Sequence, residues 1–167
     1  MAKISIRKGH ETDVDVVLAI FDGARRFMRA SGNLVQWIGG YPAREDVLAD
    51  IVAGNCYVGE DTDGEIVVVF AFILGEDPTY AVIEQGKWLN RESYGTIHRI
   101  ASSGKHGRML DACVDFCFKL THNIRIDTHS DNRPMLTALE RLGFQRCGII
   151  YCRDGSPRLA FQKRLNT

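Results

Sequence analysis

Tyr94-Gly95-Thr96-Ile97-His98-Arg99-Ile100-Ala101, a strand-like run, leads into the polar loop Ser102-Ser103-Gly104-Lys105-His106-Gly107 and then into the apolar helical run Arg108 to Lys119. A small Gly-containing loop between a strand and a helix turns several backbone N–H groups in one direction. The helix dipole adds partial positive charge there, so such a loop suits a phosphate. The alternative is that Gly104 and Gly107 only make a tight turn. Neither a full G-x-G-x-x-G nor a G-x-x-x-x-G-K-[ST] is present, so spacing leaves both readings open.

The segments around this stretch fill in the fold. Ile4 to Arg7 reads as a first strand, and Thr12 with Asp15 resembles a capping box. Val14, Val17, Leu18, Phe21 and Met28 repeat at helical spacing, predicting an amphipathic helix to Ala30. Leu34 to Pro42 is a loop carrying Trp37 and Tyr41, and Arg44 to Ala53 a second short helix. Cys56–Glu60 and Glu65–Leu74 are strands joined by an Asp63-Gly64 turn, the second apolar enough to be buried on both faces. Tyr80 to Gln85 is predicted as a further strand. Asn123–His129 is a strand, and Pro134 and Gly143 bracket the helix after it. Phe144–Cys152 and Arg158–Lys163 close the chain as strands.

The order Ile-His-Arg-Ile-Ala, Gly-containing loop, helix, then Ile126-Asp127-Thr128-His129-Ser130-Asp131-Asn132, a short helix and Arg141-Leu142-Gly143-Phe144 resembles the GNAT family of acetyl-CoA-dependent N-acyltransferases. Gln36-Trp37, Tyr41-Pro42 and Gly86-Lys87-Trp88 are similar to a bacterial subgroup of it. The resemblance spans nearly the whole chain and implies one domain over residues 1–167. It implies an α+β, three-layer α/β/α fold around a mixed, mostly antiparallel sheet whose fourth and fifth strands splay apart. Between those strands the family holds the pantetheine arm of its acetyl-CoA co-substrate. Carried over, Ile100, Ala101 and Ser102 supply main-chain partners for that arm. Ser103, Gly104, Lys105, His106, Gly107 and Arg108 hold the pyrophosphate, although the loop is shorter than the family's usual Gln/Arg-x-x-Gly-x-Gly/Ala. Asn132 matches an Asn whose amide meets the arm, or else caps the following helix.

Seven residues on, many members carry a Tyr as general acid, and this chain has Leu139. Tyr151 is the nearest substitute, with a core aromatic as its alternative. A thiol of pKa about 8.5 also leaves with little help. Acyl transfer needs a neutral amine, hence a base. His98 is the first candidate, at a strand position where the family often has Glu, and Glu84 is the second. A hydrogen-bonded core role is the alternative for His98. Asp127 and His129 share a strand face, but Asp127 is expected to order the strand or to pair with Arg125 or Arg99. Trp37, Tyr41, Tyr80 and Trp88 are candidates to line an acceptor pocket, where aromatic faces attract a cationic amine. Each could equally be core.

Composition narrows the classes. A chain of 167 residues with 45% apolar and 25% charged side chains has the size and balance of one soluble globular domain. A formal net charge of zero without a basic run speaks against a duplex nucleic-acid partner. No run reaches membrane-spanning length and the N-terminus lacks a signal-peptide core, which points to the cytoplasm and no membrane partner. Five scattered cysteines do not suggest a disulfide framework. Cys113 and Cys117, four apart, lack zinc-motif partners, so no metal is expected. Pairing of a His with Cys56 or Cys152 for nucleophilic catalysis has no support beyond composition. The function expected is transfer of an acetyl group to a primary amine of a small molecule or peptide. A non-catalytic CoA or acyl-CoA sensor of the same fold is the alternative, and a structural homodimer with a vestigial cleft the third.

Overall fold

The computed structural model describes residues 2–166, so Met1 and Thr167, at the limits of the expected domain, lie outside the described residues. Among the described residues seven strands form one sheet in the order β1-β2-β3-β4-β5-β7-β6. They are β1 Ser5–Lys8, β2 Cys56–Glu60, β3 Ile66–Leu74, β4 Gly95–Ser102, β5 Asn123–Thr128, β6 Gln145–Tyr151 and β7 Pro157–Arg164. The helices are α1 Val14–Ala30, α2 Arg44–Val52, α3 Met109–Cys117 and α4 Arg133–Arg141. Every strand pair is antiparallel except β4 with β5, so the mixed α+β fold expected for the family is the one observed.

Alternation along β3 splits the core into two layers. Phe70 and Phe72 pack with Cys113, Val114 and Cys117 of α3 and Leu139 of α4, whereas Val69 packs with Val14, Val17 and Phe21 of α1. Both cysteines of α3 are buried packing groups. The α1–α2 layer stops short of the sheet's other half. There the long connector between β3 and β4 takes its place, packing Tyr80, Tyr94, Ile83 and Trp88 against Ile150 and Ala160.

The predicted strand Tyr80–Gln85 lies inside that connector and is not formed. Asp77 Oδ1 accepts from the Thr79 N–H at 2.8 Å, and Pro78 occupies the first turn of a 3-10 helix, Pro78–Tyr80. This local capping closes the backbone before a strand can start. Only Glu84 then makes a bridge, to Ile149 on the edge strand β6. Among the described residues no helix is long and apolar enough to cross a membrane.

Two features of β4 position the site. It pairs with β5 only through Gly95 with Ile124 and Thr96 with Arg125, after which the strands part. On its other side, against β3, the register shifts: Ala71 opposes His98 but Val69 opposes Ala101. The extra residue is accommodated at Arg99, whose φ of 50° lies in the left-handed region. Such a bulge puts two successive side chains, His98 and Arg99, on the α1–α2 face.

Gly86 is where the connector touches β6 most closely. A Cβ there would lie 1.8 Å from the Cys147 carbonyl oxygen, a backbone atom that cannot turn away. Gly86→Ala is expected to destabilise the protein by about 2–3 kcal/mol in urea unfolding. Gly23→Ala, in the middle of α1 with nothing nearer than 3.9 Å, should instead stabilise it by about 0.5–1 kcal/mol.

Candidate active site

The parting of β4 and β5 sets His98 and Asp127 on the same face, one on each side of the gap. His98 Nε2 lies 2.7 Å from Asp77 Oδ2, and Nδ1 lies 4.0 Å from Asp127 Oδ2. Asp127 Oδ2 accepts a 2.6 Å hydrogen bond from the Tyr80 hydroxyl. The Tyr80 ring, 2% exposed, stands 6.1 Å from the imidazole, and its carbonyl accepts from Trp88 Nε1 at 2.9 Å. Burial first, then the neighbouring Asp127 charge, pushes the Tyr80 phenol well above its ordinary value, so it stays a donor. Burial alone would raise the Asp77 carboxyl, but hydrogen bonds from His98 and Thr79 outweigh it and hold the carboxyl down at about 2.

An ionised Asp77 fixes the tautomer of His98. Nε2 carries the proton and donates it to Asp77, which leaves the Nδ1 lone pair free on the side of Asp127. The 4.0 Å between Nδ1 and Asp127 Oδ2 is too long for a direct hydrogen bond and leaves that edge of the imidazole uncommitted.

The aromatic candidates divide. Trp37 packs edge-on against Phe21 at 5.4 Å and lies 6.4 Å from Tyr41. The Tyr41 hydroxyl accepts from Arg99 Nη1 at 3.1 Å, and Arg99 is clamped to Asp50 of α2 by two bonds of 2.7 and 2.8 Å. These residues form the wall above the bulge. Tyr80 and Trp88 lie instead in the β3–β4 connector, with Tyr80 too buried to be a contact surface.

Glu84 and Tyr151 are brought together, but with each other. The Tyr151 hydroxyl donates to Glu84 Oε2 at 2.9 Å, and that bond raises the phenol's pKa. Tyr151 ends the edge strand β6, to which Glu84 of the connector bridges, and β6 is separated from β5 by β7, so two interstrand spacings of about 4.8 Å lie between that strand and the gap. Leu139, where many family members have Tyr, is fully buried in the α3–α4 layer.

Backbone groups face the gap on the β4 side. Ser103 N donates to Val67 O at 2.9 Å and Ala101 opposes Val69, so alternation turns the main-chain groups of Ile100 and Ser102 away from β3. In the loop that follows, the N–H groups of Gly104, His106, Gly107 and Arg108 make no backbone hydrogen bond among the described residues. Gly104 and Arg108 both have positive φ, 83° and 61°, which aims successive amides alike. Two side chains of the loop are committed elsewhere: Lys105 Nζ lies 2.8, 3.3 and 2.6 Å from Asp61, Asp63 and Glu65, and His106 Nε2 lies 3.0 Å from Asp61. Asn132 caps α4, its Oδ1 accepting from Met135 N at 3.3 Å, while its Nδ2 donates to Gln36 Oε1 at 3.2 Å. The amide thus both caps α4 and ties it to the loop after α1.

Sequence reasoning missed Asp77 and the partner of Asp127. Asp77-Pro78-Thr79 signals a turn and nothing more. Asp127 pairs with neither Arg125 nor Arg99 but with Tyr80, and His129 turns to Asp131 at 3.6 Å. Among the described residues no group of three or more His, Cys, Asp or Glu side chains is arranged to hold a metal ion.

The fold has clear relatives. Over 98% of this chain and 96% of the other, it is 34% identical to a GNAT-family acetyltransferase from Streptococcus agalactiae, with a TM-score of 0.88. This chain belongs to the GNAT family of acetyltransferases. A GNAT-family acetyltransferase from Listeria monocytogenes, 20% identical over 99% and 98% of the two chains, has a TM-score of 0.73. Another from Bacillus anthracis, 15% identical over 98% and 96%, has a TM-score of 0.64. These two share the fold. Neither a family sequence model nor a curated protein sequence matches the chain.

The low Asp77 value has a stability consequence. Its folded-state pKa of about 2 lies below the ordinary aspartate value of 3.8, so the contribution is complete above pH of about 4 and disappears as pH falls toward about 2. Asp77→Asn is expected to cost about 2 kcal/mol at neutral pH. In denaturant titrations the gap between wild type and variant should narrow from pH of about 4 downward.

Proposed function

We propose that this GNAT member transfers the acetyl group of acetyl-CoA to a primary amine of a small molecule or peptide by direct attack, with His98 as the base. The observation that carries the reading is the uncommitted Nδ1 of His98, held in its tautomer by Asp77, at the mouth of a gap lined by free β4 backbone. Acetyl-CoA supplies a thioester, whose acyl carbon accepts the amine nitrogen as the thiolate leaves.

The residues present fit such a co-substrate. The outward main-chain groups of Ile100 and Ser102 suit an amide-bearing arm, and the loop amides of residues 104 to 108 suit a pyrophosphate. Arg108, which makes no side-chain hydrogen bond or ion pair with the described residues, supplies the positive charge that Lys105 spends on the β2–β3 turn. An N–H near the Arg99 bulge polarises the developing oxyanion. Asp127, supported by Tyr80, attracts the acceptor as an ammonium, and Nδ1 of His98 takes its proton directly or through a water. Trp37 and Tyr41 bound the acceptor side with aromatic faces. Glu84 and Tyr151, at the sheet edge, play no part in this reading, and the thiolate leaves without a Tyr acid. The whole chain acts as one domain and works in the cytoplasm.

Melting temperatures with acetyl-CoA, CoA and ATP test the ligand. At about a hundred times the dissociation constant, acetyl-CoA and CoA should stabilise by about 2.7 kcal/mol, roughly 2–4 °C, and ATP should not. Turnover is read by thiol release over a panel of amines. His98→Gln should lower kcat by about 10²–10⁴-fold while the acetyl-CoA dissociation constant stays put. Protection by acetyl-CoA without release on any amine would support the sensor reading instead, and no protection would sink both.

The ion pairs of the loop give a further expectation. Arg108→Ala should weaken acetyl-CoA binding by about tenfold, because a charge-assisted phosphate contact is lost. Lys105→Ala, whose ammonium sits on an exposed carboxylate cluster, should change it by less than about threefold. Calorimetric titration with acetyl-CoA measures both.

A further inference from the structure

Arg125 of β5 is 6% exposed, yet no carboxylate among the described residues pairs with its guanidinium. Its carbon lies 4.2 Å from the Trp88 ring centre and 4.0 Å from that of Tyr94, between two aromatic faces. Nη2 donates to the Asn90 carbonyl at 2.9 Å, and Nε is buried with no hydrogen-bond partner. A buried guanidinium without an anion is costly, and stacking on aromatic rings offsets only part of that cost.

The side chain lines a cleft of about 1020 Å³ formed by the connector, and the cleft wall also carries Lys87 and Arg91. The acidic groups around it are partly spent: Asp77 on His98, and Glu92 on Arg164 at 2.5 and 3.0 Å, leaving Glu76 without an ion pair among the described residues. This cleft is one ring away from the reaction centre, since Tyr80 stands 5.0 Å from Trp88 and 6.1 Å from His98.

We propose that this cleft is a binding site for a small oxyanion-bearing molecule, a carboxylate or a phosphate, whose anionic group is held by Arg125. Trp88 and Tyr94 keep the guanidinium plane fixed, which prepares it for a planar or tetrahedral oxyanion better than a mobile surface cation would be. The cleft's size suits a molecule of ordinary metabolite dimensions. The site is distinct from the gap between β4 and β5 and stands whether or not the acetyl-transfer reading does.

The chain has two tryptophans, so a Trp37→Phe background leaves Trp88, which touches Arg125, as the reporter. This protein, without acetyl-CoA and at constant ionic strength set by chloride, is titrated with inorganic phosphate and separately with acetate. A saturable fluorescence change with either anion is expected. It should be lost in Arg125→Met and weakened at least about tenfold in Arg125→Lys, which keeps the charge but not the planar fork. Saturation by phosphate alone assigns a phosphate ligand, and by acetate alone a carboxylate. A flat response to both anions overturns the site, as does a response that persists unchanged in the variants. Should Arg125→Met fail to fold, Arg125→Lys decides by the same criterion.

Discussion

The arrangement around His98 depends on β4 and β5 being, among the described residues, the one parallel neighbour pair in an otherwise antiparallel sheet, and on their staying together for only two residue pairs. A parallel pair needs a crossover, and here α3 and the loop before it supply one. Once the strands part, β4 has main-chain groups with no strand to satisfy them. Unsatisfied backbone in a sheet interior is costly unless a ligand or water reaches it. The gap is therefore both a structural weakness of the sheet and the natural place for an extended, amide-bearing molecule.

The bulge at Arg99 converts that gap into a site with two sides. Without the extra residue, His98 and Arg99 would point to opposite faces of the sheet. With it, His98 reaches Asp77 while Arg99 reaches Asp50 and Tyr41, so the connector and the α1–α2 region are both tied to the same two residues of β4. Two carboxylates treat His98 differently. Asp77 accepts a hydrogen bond from its Nε2–H and fixes its tautomer, whereas Asp127 is engaged by Tyr80 and stands off at 4.0 Å. That asymmetry leaves one nitrogen of the imidazole available.

The connector between β3 and β4 does more than join strands. It replaces a helix over half of one sheet face, carries Asp77 and Tyr80 into the site, and encloses the cleft around Arg125. Its irregular backbone is held by local capping at Pro78 and by close approach at Gly86, not by strand pairing.

The order of strands and helices was legible because periodicity reports burial directly: α1, β3 and α3 announce themselves by which residues are apolar and how often. The strand, loop and helix from Tyr94 to Lys119 carried the family resemblance, and His98 could be singled out on its strand. What could not be read were contacts made across the chain. Asp77 meets His98 from 21 residues away and Tyr80 meets Asp127 from 47, and no local spacing encodes either pairing. Glu84 and Tyr151 looked like candidates by type, but the sheet order puts them on the far edge. The strand predicted at Tyr80 failed because a single Asp-Pro cap outweighed side-chain preference. Local pattern thus determined the elements and the position of His98 on its strand. Only packing, which decides which carboxylate an imidazole faces and which arginine is left without one, determined the chemistry around it.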